Sequence, residues 1–258
     1  MEIVNKLSQE DEEFLKTYNA GDYERPSVTV DMLLFTVEDG KLKLMLIKRK
    51  NPPYKNKWAI PGGFVNIDES ILTAAKRELN EETGMYAYLK QFETFGEVNR
   101  DPRTRVISVG YLALVRPENF TYEMHAGDDA KEVALFDIKL SSVNTVFEYL
   151  TNAQVGTLNS LDLAFDHAFI IRQGIRNLQT QLKHNSSLIA FQLVNQEFTM
   201  YDLQKVYEAV LGESFIKPNF RRSFERDYVK TGIVEFTGNY SNKYPHPAKL
   251  YRLKERIY

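Results

Sequence analysis

The chain has 258 residues, 43% hydrophobic and 26% charged, which is an ordinary globular composition. No apolar run approaches the roughly 18 residues that cross a membrane, and a length above the roughly 100–200 residues of one domain makes two domains the expectation. The 33 Lys+Arg and 35 Asp+Glu leave a net charge of −2, and the lack of cysteine excludes a disulfide framework and thiolate metal sites.

In chain order, the opening "MEIVNKLSQEDEEFLKTYN" is acidic and has no apolar h-region, so no secretory signal is read there and a cytoplasmic location is expected. "SVTVDMLLFTV" and "KLKLMLIKR" alternate and are rich in β-branched residues; the "EDG" between them carries the Asp-Gly turn of a tight hairpin. The loop "NPPYKNK" leads through Trp58 and "AIPGG" to a helix expected over Glu69 to Thr83, with Asp68 as N-cap and Gly84 as stop. "RVISVGYLALV" reads as a buried strand and "EVALFDI" as another. Strands around helices in this order predict an α/β fold, an α/β/α sandwich with a mixed sheet, over residues 1–142 including an N-terminal extension.

Residues 143–160, "VNTVFEYLTNAQVGTLNS", read as a connector. From residue 161 to 258 the order changes to a helix in "DLAFDHAFIIRQGIRNLQTQLKH", a second capped by Thr199 and stopped by Gly212, and a third begun by Pro218. A two-stranded ribbon, "IVEFTG" with "AKLYRL", completes a winged helix-turn-helix. Charge follows the same division: residues 1–159 carry 19 basic against 25 acidic side chains, residues 160–258 carry 14 against 10. A basic carboxy-terminal half points to a polyanion.

The chemistry concentrates at the end of the first helix. Glu81 and Glu82 lie about −60° and +40° around the helix from Glu78, so three carboxylates share one face. Like charges at these spacings repel by roughly 0.2–0.5 kcal/mol per pair, and the last turn of a helix disfavours anions. A solvated acidic face is the bland reading. Against it, Leu72, Ala75 and Leu79 form an apolar stripe beside the carboxylates, so the cluster borders the core. Mg²⁺ or Mn²⁺ would neutralise such an all-oxygen set. Glu69 lies about 180° from Glu78 but only about 80° from Arg77, which makes it a supporting partner of Arg77. Gly62 and Gly63 are expected at positive φ, where backbone approaches a ligand.

Gly63, Glu69, Arg77-Glu78-Leu79, Glu81-Glu82, Gly84 and Met85 match every fixed position of the Nudix box, so residues 21–142 resemble the Nudix hydrolase superfamily. The resemblance implies metal ligation by Glu78, Glu81 and Glu82 with the Gly63 carbonyl, an orienting role for Arg77, and cleavage of a nucleoside diphosphate linked to another group. The general base is either a box glutamate or one of Asp128 and Asp129. Candidate ligand-binding residues are Arg49, Gly62, Gly63, Arg103 and Arg105. Lys48 is a further phosphate candidate, and Tyr54 and Phe64 are candidates for stacking on a base, each set against surface or packing roles. His125, His167, His184 and His246 are scattered and read as structural or surface residues.

On the third carboxy-terminal helix, Lys217, Asn219, Arg221, Arg222, Arg226 and Lys230 form a candidate DNA-binding face. "RPSVTVDMLLFT", "WAIPGGFV", "NRDPRTRVISVGYLALV", "LAFDHAFII", "FTMYDLQKVYEAVLG", "NFRRSF" and "HPAKLYRL" together resemble the Nudix-related transcriptional regulators of NAD metabolism, over residues 25–253. That resemblance implies a homodimer that binds duplex operator DNA through Arg221 and Arg222 and responds to an ADP-ribose-like nucleotide sugar. Family members often have a degraded Nudix site, whereas this box is intact. The expectation is therefore a regulator that also hydrolyses its ligand with Mg or Mn. The alternative is a plain Nudix hydrolase whose carboxy-terminal domain serves dimerisation or substrate enclosure.

Overall fold

The computed structural model describes residues 6–120, 130–141, 147–184, 188–243 and 245–254. After a short helix α1 (Gln9–Thr17), a hairpin of β1 (Ser27–Glu38) and β2 (Lys41–Arg49) opens the sheet. Its turn places Asp39 at φ 51° and Gly40 at φ 69°, the left-handed pair that a two-residue hairpin turn requires. β3 (Trp58–Ala59) and β4 (Gly62–Phe64) follow, then α2 (Ile71–Thr83), β5 (Tyr88–Phe95), β6 (Val106–Leu114), β7 (Ala130–Leu140), β8 (Phe147–Asn152) and β9 (Gly156–Leu158).

These strands form a nine-stranded sheet in the order β5-β6-β1-β2-β7-β8-β9, with β3 on β2 and β4 on β1. β1 runs parallel to β6 and antiparallel to β2, so the sheet is mixed, as expected. β1 lies in its middle and is apolar on both sides. Val30, Met32 and Leu34 pack under α2 with Ala74, Ala75 and Leu79, while Leu33 and Phe35 face the opposite layer.

That opposite layer is α3 (His167–Lys183), whose Ile170, Ile171 and Ile175 are buried with Leu33 and Leu112. The helix expected to open the DNA-binding domain at residue 161 is thus the second helical layer of the α/β/α sandwich. Gly174 eases the fit: a Cβ there would overlap Cδ1 of buried Leu33 and force that side chain to shift. Residues 147–158, expected within a 143–160 connector, instead extend the sheet. β8 pairs with β7 through Asp137↔Thr151, Ile138↔Leu150 and Lys139↔Tyr149. Strands of six and three residues are too short to show the apolar alternation that marks a half-buried strand, which hides them in the sequence.

The carboxy-terminal unit begins with a 3₁₀ turn, Leu188–Gln192, followed by β10 (Phe198–Thr199), α4 (Met200–Leu211), α5 (Lys217–Phe224), a π turn (Glu225–Val229), β11 (Val234–Ser241) and β12 (Ala248–Leu253). β10, β12 and β11 make a three-stranded sheet, one strand more than the expected ribbon. Thr199 and Asp202 form the expected capping box of α4, and Gly212 ends it at φ 70°. Phe198, Phe220, Phe224, Tyr228 and Tyr251 belong to the same apolar cluster as the α3 face of the large sheet. Among the described residues no helix is long and apolar enough to cross a membrane.

Gly174→Ala therefore opposes two effects: a gain of about 1 kcal/mol in helix propensity and an overpacking cost of about 1–3 kcal/mol. Net destabilisation is expected, relieved when Leu33→Ala is present as well. A double-mutant cycle by urea denaturation checks this; strictly additive effects of the two substitutions would contradict the close approach.

Candidate functional site

α2 starts two residues later than expected. Ser70, not Asp68, is its N-cap, accepting from the Thr73 amide at 3.1 Å, because the Glu69 carboxylate is already committed to the Asn66 amide (2.9 Å) and to Arg77. Gly84 closes the helix at φ 67°. The buried face is Ala74, Ala75, Leu79 and Thr83, whereas Leu72 stays exposed. The later start does not disturb the carboxylates, which keep their helical spacing.

Arg77 meets most of the negative charge. Its Nη2 and Nε donate to the two oxygens of Glu69 at 2.7 and 3.1 Å, and its Nη1 to Glu78 at 2.8 Å and Glu81 at 2.9 Å. Nη2 also donates to the Phe64 carbonyl at 3.0 Å, which ties α2 to β4. Glu69 raises the Arg77 pKa further above its usual value, with burial opposing, and Arg77 with the Asn66 amide holds Glu69 below the carboxylate range. Burial pushes Glu78 upward, a shift reinforced by the charges of Glu81 and Glu69 and opposed by Arg77. Glu82 points the other way and accepts the Gly62 amide at 2.8 Å. Among the described residues no three His, Asp or Glu side chains already stand together as a metal cluster. Glu78 and Glu81 are drawn onto Arg77, and Glu82 onto the backbone.

Gly62 and Gly63 are needed for space rather than for positive φ, which neither has. Both pair with β1 through Asp31↔Gly62 and Val30↔Gly63. A Cβ on Gly62 would overlap the Val30 carbonyl oxygen, and one on Gly63 the Glu78 carboxylate. The second overlap puts the Gly63 backbone directly against a candidate metal ligand.

Beside this helix lies a pocket of about 120 Å³, lined among others by Arg49, Gly62, Gly63, Glu82, Arg100, Arg103 and Phe165. Of the expected ligand-binding residues, Arg105 is absent from the lining; its guanidinium serves the carbonyls of Glu97 and Val106 at 3.2 and 3.3 Å. Lys48 is likewise spent elsewhere, on Glu132 at 3.2 Å and over the Trp58 ring. Arg103 is fixed by two hydrogen bonds to Asp101, 3.0 and 2.7 Å, and lies against the rings of Phe64 and Phe165. Arg49 stands over the same Phe165 ring at 5.0 Å, and Tyr54 meets it edge-on at 4.7 Å. Asp128, Asp129 and His125 lie outside the described residues.

Sequence reasoning missed the residues that join this pocket to α3. Phe165 has φ 48°, a left-handed conformation that strains a bulky residue by about 1–3 kcal/mol. Asp166 receives the Arg100 guanidinium at 2.9 and 2.8 Å; Arg100 also reaches Asp31 at 3.3 Å, and Asp31 accepts from Ser108. His167 is buried and structural. Its Nδ1 accepts the Ile60 amide at 2.8 Å, and burial lowers its pKa, so the ring is neutral. These contacts span 66 to 107 positions along the chain, and no local pattern announces them.

On the carboxy-terminal unit, α5 and its π turn bury Phe220, Phe224 and Tyr228 and expose Lys217, Asn219, Arg221, Arg222, Arg226 and Lys230. The Tyr228 hydroxyl meets Tyr207 of α4 at 2.6 Å, which anchors the π turn in the core. Arg222 donates to Asn219 at 2.8 Å, and Arg226 forks onto Asp227 at 2.6 and 2.8 Å. The wider turn from Glu225 ends the 3.6-residue spacing of α5, so Arg226 follows a different period from Arg221 and Arg222.

Comparison with known proteins matches both parts of the chain. Residues 25–147 match the NUDIX domain and residues 190–253 the NrtR DNA-binding winged helix domain. The chain is 33% identical over 248 residues, 95% of its length and 89% of the relative's, to the "ADPR responsive transcriptional repressor NtrR" of Acinetobacter baylyi. It is 36% identical over 163 residues, 63% of its length and 79% of the relative's, to the ADP-ribose pyrophosphatase of Methanocaldococcus jannaschii. The crystal structure of Shewanella oneidensis NrtR complexed with a 27mer DNA superposes with a TM-score of 0.65 at 28% identity, covering 88% of this chain and 93% of that one. The start of the winged-helix match at residue 190 falls after α3, in keeping with the packing of that helix on the large sheet. The chain belongs to the NrtR-type family of regulators, in which a NUDIX domain precedes an NrtR DNA-binding winged helix domain.

Proposed function

We propose that this protein is a DNA-binding transcriptional regulator whose Nudix domain binds ADP-ribose and also hydrolyses it with Mg²⁺ or Mn²⁺. One observation carries the reading: an undegraded carboxylate set beside an arginine-lined pocket shares a chain with an exposed basic helix on a winged-helix core. The Acinetobacter baylyi relative is named for its response to ADPR, and the Methanocaldococcus jannaschii relative for cleaving ADP-ribose.

The donor set suits a hard divalent cation. Glu69, Glu78, Glu81 and Glu82 outnumber the single Arg77, and Glu78 is held where burial disfavours its charge. Glu78, Glu81 and Glu82 would hold the ion with the Gly63 carbonyl. When bound, such a cation polarises diphosphate oxygens and lowers the pKa of water. Arg77 and Glu69 keep the acidic face oriented, and Arg49 and Arg103 present guanidinium groups to phosphate oxygens. The exposed face of α5 meets duplex operator DNA, and a homodimer would present two such helices to half-sites about 34–36 Å apart. A DNA partner accords with a cytoplasmic location. The intact box also supports a second reading, a plain hydrolase whose carboxy-terminal domain aids dimerisation or encloses substrate.

Mobility shift on the protein's own upstream DNA separates the two readings. Duplex binding that falls by about 5- to 150-fold with ADP-ribose is expected for the regulator. Salt-insensitive or absent duplex binding would leave the plain hydrolase. Arg221→Ala with Arg222→Ala should weaken binding by about 1–3 kcal/mol for each base edge that an arginine no longer reaches, without altering turnover.

Glu82→Gln removes one anionic oxygen while leaving an acceptor for the Gly62 amide, so the fold should be retained. AMP release should fall by about 100-fold or more, the scale of losing one group that stabilises transition-state charge. Wild-type AMP release from this variant, or full activity in chelator, would refute the metal role.

A further inference from the structure

α3 has one end in the Nudix pocket and the other on the winged helix. At its start three consecutive residues grip the pocket. Phe165 lends its ring to the wall, Asp166 takes two hydrogen bonds from Arg100, and His167 accepts the Ile60 amide. Asp166 occupies the N-cap position yet makes no cap hydrogen bond with its side chain; its carboxylate is turned to Arg100 instead. At the other end, buried Gln179 donates to the Val210 carbonyl of α4 at 3.0 Å, and Leu178 and Leu182 share a core with Val206 and Val210. α4 in turn holds the DNA-binding helix through the Tyr207–Tyr228 contact.

Other contacts among the described residues also connect the units, including the Glu118 amide on the Asn195 side-chain oxygen at 3.3 Å. The β1–β2 hairpin rests against α4, where the Lys205 stem lies beside Gly40, and Glu118 accepts the Gln196 amide at 2.7 Å. β1 also reaches the pocket through Thr29 and Asp31, but it is hydrogen-bonded to β2 and β6 along its two edges and cannot shift alone. Glu118 does not line the pocket.

We propose that α3 carries ligand occupancy of the Nudix pocket to the DNA-binding helix, with Arg100 and Asp166 as the positioning pair that fastens it. The inference rests on the ADP-ribose-responsive reading above and supplies its route. Arg100 is a lining residue of the pocket, and a diphosphate bound there is a fork-matching acceptor that competes with Asp166 for its guanidinium. Loosening that grip lets the start of a continuous 17-residue helix move, and a rigid helix moves its far end with it. The two ends of α3 thereby give ligand and DNA different affinities for the same two arrangements, which is what coupling requires.

The test uses the full chain and Asp166→Asn, which keeps shape and removes the charge that Arg100 grips. ADP-ribose affinity is titrated by calorimetry with and without duplex, using a non-hydrolysable analogue. Wild type should show a coupling of about 5- to 150-fold, and Asp166→Asn a factor within about twofold of unity, with each ligand still bound when alone. Arg100→Lys, which keeps the charge and loses the fork, should fall between. Glu118→Ala, which removes the side-chain bond of a different bridge, should keep wild-type coupling. Undiminished coupling in Asp166→Asn, or its loss in Glu118→Ala alone, overturns the inference and spares the regulatory reading. Absence of coupling in wild type overturns both. Hydrogen exchange on wild type gives a readout independent of the variants: the analogue should alter protection in the first and last turns of α3 and in α4. An effect confined to α2 and the pocket loops overturns the route.

Discussion

The guanidinium of Arg77 holds the site in shape. Three carboxylates and a backbone carbonyl converge on it from α2, from the turn before α2 and from β4. A lysine could not serve them all, because an ammonium is a point charge whereas the planar fork of arginine offers five fixed donors. With Arg77 in place, carboxylates that would repel one another beside an apolar core are neutralised in part and oriented. β4 is drawn to the same point, which sets where Gly62 and Gly63 stand and hence one wall of the pocket.

The second constraint is the central position of β1. Its alternate side chains feed two layers, one closed by α2 and the other by α3, so the strand that backs the site is apolar on both faces. The α3 layer continues without a break into the winged helix: Ile175 and Leu182 of α3 belong to one apolar cluster with Leu203, Phe224 and Tyr251. Two units that share a core in this way do not respond independently. A change at the pocket end of α3 is felt where α4 and α5 pack, since close-packed interiors transmit displacement rather than absorb it.

The site was legible where its residues are close in sequence. Arg77, Glu78, Glu81 and Glu82 share one helix whose geometry relates them, and Glu69 joins Arg77 from the turn just before it. The capping box of Thr199 and Asp202 and the stops at Gly84 and Gly212 were legible for the same reason. Local rules failed where a distant partner competed. Asp68 lost the N-cap to Ser70 once Glu69 was engaged by Arg77, and Gly62 and Gly63 proved to need room for Val30 and Glu78 rather than positive φ. On α5 the basic face was legible, but the π turn was not, because it is anchored by Tyr207 from another helix.

By itself the sequence determined the local patterns of this protein: three glutamates on one face of a helix, the basic face of α5, the central strands and the order of the two domains. Each of these is written in periodicities of 2 or 3.6 residues or in a short motif, so neighbours in sequence suffice to specify it. Only the tertiary structure decided that α3 belongs to the Nudix sandwich, that β8 and β9 widen its sheet, and that Phe165 and His167 line the pocket while Asp166 holds Arg100 behind it. Those outcomes depend on pairings such as Gly174 against Leu33 and Arg100 against Asp166, between residues far apart in the chain. An amphipathic helix announces that it has a face to bury, and the surface that receives it exists only once the sheet has formed.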